Sequence, residues 1–86
     1  MRRNRELRVQ GLREAIVAYL RKHPDASDTP KGIVKWWLPS MGMEASITLV
    51  EDILKQLAAN GTLKCVRLPD GGMLYSAGVE IGPAGN

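Results

Sequence analysis

The sequence predicts an α+β fold, three helices followed by a two-stranded β-hairpin, on three observations. Residues 45–60 repeat apolar side chains at helical spacing and stop at Gly61. The β-rich runs 62–68 and 73–77 then flank Pro69-Asp70-Gly71-Gly72, a tight-turn signal. Two earlier segments, starting at Leu12 and Pro30, carry the helical apolar period and are each followed by a proline.

The first helix has Leu12, Ala15, Ile16, Tyr19 and Leu20 on one face, with Glu14, Ala18, Arg21 and Lys22 opposite. His23-Pro24 ends it, because proline has no N–H to continue the ladder and disfavours helix in the residue before it. Asp28 or Thr29 then caps a short second helix over 30–38, with Pro30 in its first turn and Pro39 closing it. At about 100° per residue Ile33, Val34, Trp37 and Leu38 share a face, which leaves Trp36 off it. The turn 40–43 follows, with Gly42 suited to positive φ.

The third helix starts at Ser46 as cap, or two residues later through a Thr48–Glu51 capping box. Ile47, Val50, Ile53, Leu54 and Leu57 form its apolar stripe. Thr48, Glu51, Asp52, Lys55 and Gln56 face outward, and Leu49 lies on the boundary. The expected core is Leu12, Ile16, Leu20, Ile33, Val34, Trp37, Val50, Ile53, Leu54, Leu57 and Leu63. Residues 1–10 are expected to form a flexible basic arm that can extend the first helix, 11–77 the folded domain, and 78–86 a flexible tail.

Eighty-six residues support one small core. No apolar run approaches the roughly 18–20 residues that span a bilayer, and no secretory leader is visible, so a cytoplasmic protein without membrane contact is expected. The single cysteine excludes an internal disulfide and a cysteine-clustered zinc site. The net charge of +3 is unevenly spread. Residues 1–22 hold seven Arg or Lys against Glu6 and Glu14, a balance of +5, while 23–86 hold five against seven acids, a balance of −2.

This order of elements over 12–77 resembles the winged helix-turn-helix superfamily. The resemblance rests on the turn 40–43, the pattern Ser46-Ile-Thr-Leu-Val with Ile53, Leu54 and Leu57, the junction Ala59-Asn-Gly61, and the hairpin 63–75. It implies a three-helix domain with a hairpin wing, the third helix entering a major groove and the wing lying beside a phosphate backbone. His23-Pro-Asp-Ala, Asp28-Thr, Gly32-Ile33 and Trp36-Trp37-Leu38 are also similar to short uncharacterised bacterial proteins, a resemblance that implies no activity.

Double-stranded DNA is therefore the first expected partner, with a role as transcriptional regulator or accessory factor. Arg2, Arg3, Arg5 and Arg8 would supply phosphate attraction, Thr48, Lys55 and Gln56 helix contacts, and Lys64 and Arg67 the flanking backbone contacts. Glu51 and Asp52 oppose that attraction and the hairpin tip offers no positive charge to it, so an ordinary solvated helix face is the plain alternative. The other reading is a homodimer or protein partner seated on Trp36, Met41, Met43 and Leu49, since tryptophan and methionine are enriched at interfaces. An enzyme is not expected. His23 precedes a proline at a helix end, Cys65 has no base nearby in sequence, and Gly71-Gly72 sits in a hairpin with no helix after it. No cofactor or metal is implied.

Overall fold

The computed structural model describes residues 2–78, and their side chains from Glu6 onward. It is α+β: three helical units and a three-stranded antiparallel sheet, the arrangement of a small winged-helix-like domain. Helix α1 spans Arg2–Lys22 and strand β1 Ser27–Asp28. Helix α2 is continuous through three segments, Pro30–Gly32, Ile33–Trp37 and Leu38–Ser40. Helix α3 covers Ile47–Ala59, and strands β2 (Leu63–Arg67) and β3 (Met73–Ala77) form the hairpin.

Residues 2–10, read from the sequence as an arm, are helical and continuous with α1. Gly11 does not interrupt the helix. The side of α1 it occupies is covered, with Met43 Cε 3.5 Å from where a β-carbon would stand, and Val9 packs on the core one turn earlier. Leu12, Ala15, Ile16 and Leu20 are buried, the spacing of one helical face. Residues 79–86 of the expected tail lie outside the described residues.

Helix α2 departs from expectation at its end. Thr29 caps it, its Oγ1 accepting from the Gly32 N–H at 3.2 Å, with Pro30 as the first helical residue. The Asp28 carboxylate accepts from the Thr29 N–H at 2.8 Å and fills the space that a β-carbon on Gly32 would need. Pro39 does not close the helix but lies inside it, preceded by a π turn in which the Leu38 N–H reaches back to the Ile33 carbonyl. A proline in a helix supplies no N–H and crowds the carbonyl one turn before it, and widening that turn relieves both. The wide turn carries Ile33, Trp37 and Leu38 into the core together and leaves Val34, expected in the core, half-buried.

Both α2 and α3 stop on the same device. At Gly42 (φ 74°) the Gly42 N–H donates to Pro39 O and the Met43 N–H to Leu38 O; at Gly61 (φ 83°) the donors are Gly61 to Ala58 O and Thr62 to Leu57 O. Each is a Schellman pair, and the left-handed residue at its centre favours glycine. At the start of α3, Ser46 is the cap, its Oγ accepting from the Leu49 N–H at 3.2 Å. Ile47, expected in the buried stripe, is 40% exposed, because it lies in the first turn at the stripe's edge.

The sheet has the order β1-β3-β2, so the expected two-stranded hairpin gains a third strand. Ser27 and Asp28 pair with Ser76 and Tyr75, and Cys65 stands opposite Tyr75 on the other side. The tip is a turn closed by Gly71 N–H to Leu68 O, with Gly71 at φ 91° and the Asp70 carboxylate accepting from the Gly72 N–H. This is the Pro-Asp-Gly chemistry of a type I turn followed by a left-handed glycine. The core lies between the helices and the inner sheet face, and it includes Leu38, Ala15 and Tyr75 beyond the residues expected.

Candidate nucleic-acid interface

Helix α3 buries Val50, Ile53, Leu54 and Leu57, so at 100° per residue its outward side carries Thr48, Asp52 and Lys55. All three are exposed. Glu51 and Gln56, also exposed, flank that strip on opposite sides. On the sheet side Tyr75 is buried beside Cys65. Burial, a hydrogen bond shared with Cys65 and the negative charges of Cys65 and Glu51 push its hydroxyl up from 10.0 to about 12.

The other flank meets α1. The Arg13 guanidinium donates to Gln56 Oε1 at 2.8 Å, and that of Arg8 donates to the Glu44 carbonyl at 3.0 Å. These bonds fix α1 to both the turn before α3 and the third turn of α3 itself. Between the helices lies an open groove of about 350 Å³, lined by Glu6, Val9, Gln10, Arg13 and Gln56. Arg13 Nε is buried there without a hydrogen-bond partner. The guanidinium is positioned by Gln56 at its tip and by the packed stem behind it.

The expected contact residues thus separate into groups. Thr48 and Lys55 share the outward strip with Asp52, and Gln56 is turned toward Arg13. Arg8 is exposed and tied to Glu44. Arg2, Arg3 and Arg5 lie on the first turns of α1, and their side chains fall outside the described ones. Lys64 and Arg67 are both exposed on β2, but three residues apart on a strand they leave opposite faces and do not flank one backbone together. Arg13 was not among the expected site residues. Its signal was its place four residues after Val9, on the strip of α1 that borders the apolar face.

The expected protein-contact set does not assemble as one exposed face. Met41, Met43 and Leu49 are half-buried and packed against the core. Trp36 is 62% exposed, while its neighbour Trp37 is buried and stacked on Tyr19 with ring centroids 4.5 Å apart. His23 lies against the other ring neighbour of this group, 4.7 Å from Tyr19. Among the described residues no helix is long and apolar enough to cross a membrane, and no three His, Cys, Asp or Glu side chains are grouped to hold a metal ion.

The geometry defines a small α+β domain with a helix-turn-helix, a hairpin and a basic first helix clamped to the third. No family model, curated protein or solved structure matches the chain.

Proposed function

We propose that this protein binds double-stranded nucleic acid, DNA in the first place, as a cytoplasmic regulator or accessory factor without catalytic activity. In this reading α3 and the N-terminal half of α1 form one contact surface. The observation that carries it is the clamp of Arg8 on the Glu44 carbonyl, seconded by Arg13 on Gln56. It places the basic segment of the chain beside the helix whose outward strip is otherwise slightly acidic. Arg2, Arg3, Arg5 and Arg8 provide sequence-independent phosphate attraction, while Thr48 and Lys55 lie where an inserted helix presents side chains to base edges.

The test is fluorescence anisotropy with a labelled random duplex across a salt series starting at about 50 mM. Four arginine–phosphate contacts give a log–log salt slope of about −3.6, at roughly −0.9 per contact. Absence of binding at the lowest salt overturns the reading. A role in protein contact is the competing one, and with Met41, Met43 and Leu49 drawn inward it rests on Trp36 alone.

A further inference from the structure

Helix α2 carries a surface that the duplex reading does not use. Residues 30–40 include Lys31 and Lys35 and no acidic residue. Both lysines are exposed, and four residues apart on a helix they lie along one side. Trp36 follows Lys35, whose Nζ lies over its ring, 5.2 Å from the centroid. The acid nearest in sequence, Asp28, is half-buried and turned inward, its carboxylate held by the Thr29 N–H against Gly32. The result is an exposed aromatic ring with a lysine ammonium over one face, on a helix that carries no acidic residue.

We propose that this face of α2 is a contact for single-stranded nucleic acid, one base stacking on Trp36 and neighbouring phosphates meeting Lys31 and Lys35. With the Lys35 ammonium over one face of Trp36, the other face is the one a base can stack on. A ring paired with a cation is a recurrent unit of single-strand binding, because every base has a face to stack and every linkage a charge. A duplex keeps its bases stacked against one another, so an exposed ring favours a strand whose bases are unpaired. A protein partner fits the surface less well. Stable interfaces need roughly 800 Å² from each side around an apolar centre. The exposed positions of α2 around Trp36 are Lys31, Lys35, Pro39 and Ser40, which make a largely polar surround.

The proposal does not depend on the duplex reading, and the same protein tests both separately. The full chain is titrated with a short oligo(dT) at about 50 mM salt while tryptophan emission is followed. Stacking quenches Trp36, and Trp37, buried and already stacked on Tyr19, contributes little to the change. Trp36→Ala is expected to weaken oligo(dT) binding about tenfold, Trp36→Phe to retain most of the affinity, and random-duplex binding to stay unchanged in both. Lys31→Gln and Lys35→Gln each reduce the salt slope for the single strand by about 0.7. Far-ultraviolet circular dichroism of Trp36→Ala establishes that the fold is kept, as its exposure predicts. Equal oligo(dT) affinity for Trp36→Ala and the parent overturns the proposal. Quenching by an acidic peptide with none by oligo(dT) also overturns it and assigns the face to a protein partner. Failure of the duplex reading shows only on the random duplex and leaves these outcomes readable.

Discussion

The two flanks of α3 differ in how they are built and in the charge they present. Toward α1 the buried apolar contact is edged by polar bonds and cations, Arg13 bonded to Gln56 and Arg8 to the turn ahead of the helix. Toward the sheet it is apolar, with Tyr75 buried and Cys65 packed beside it, and Glu51 is the smallest of the influences that raise the Tyr75 hydroxyl. A helix that carries no net base of its own thus has a polar, cation-bordered edge toward α1 and its own Glu51 on the other side. On the proposed function, the difference assigns nucleic-acid attraction to the scaffold helix α1, with α3 left to supply shape and a few polar groups.

The sheet flank gives the largest expected effect. The Tyr75 hydroxyl is held at about 12 in the folded protein against 10.0 for an ordinary tyrosine, with burial as the first cause. The folded-state value lies above the unfolded one. This group's contribution to stability is therefore complete below pH 10 and is lost as pH rises through 12. At 1.36 kcal/mol per unit the loss is about 3 kcal/mol across that window. Chemical denaturation at a series of alkaline pH values measures it, with Tyr75→Phe as reference. The parent should lose stability faster than the variant. Identical alkaline profiles would show that burial does not hold the Tyr75 hydroxyl above its ordinary value.

The α1 flank gives the next largest effect, and it is read in binding. Replacing Arg2, Arg3 and Arg5 together with Gln is expected to lower random-duplex affinity roughly tenfold or more at low salt, and to flatten the salt slope by about 2.7. Thr48→Ala and Lys55→Gln should each cost less, because the outward strip adds at most one charge contact. A larger loss from Lys55→Gln than from the triple change would reverse the assignment and put the attraction on α3.

How much of this contrast was legible beforehand depended on whether a local signal existed. The ends of α3 and the hairpin tip were readable because single residues determine them: Ser46 with a free hydroxyl at the cap, Gly61 and Gly71 where φ is positive. Strand β1 was not readable, since two residues have no period and Ser27–Asp28 become a strand only through pairing with β3. Pro39 misled for a related reason. Proline ends isolated helices, but here a π turn absorbs it and the burial of Trp37 and Leu38 offsets the cost. The helical phase that placed Val34 in the core was drawn for a regular helix, and the wide turn changed it. At the candidate site the charged residues could be counted, but their association could not. Nothing local in the sequence couples Arg8 to Glu44 or Arg13 to Gln56, partners 36 and 43 residues apart.

The smallest effect joins the two flanks in one substitution. Glu51 is exposed on α3 and is the last of the causes that raise Tyr75, behind burial and both contributions of Cys65. Glu51→Gln should bring the Tyr75 hydroxyl down, but by less than the burial and Cys65 contributions that remain, since an exposed carboxylate acts through solvent. Removing the same charge from the edge of the contact strip should raise random-duplex affinity a few-fold at low salt, an advantage that fades as salt rises. Absorbance titration of tyrosinate and anisotropy with the duplex read the two consequences on one protein. A shift in Tyr75 without a gain in affinity would mean that Glu51 faces the sheet and not the bound duplex. The contact surface would then end at Asp52 and spread toward α1.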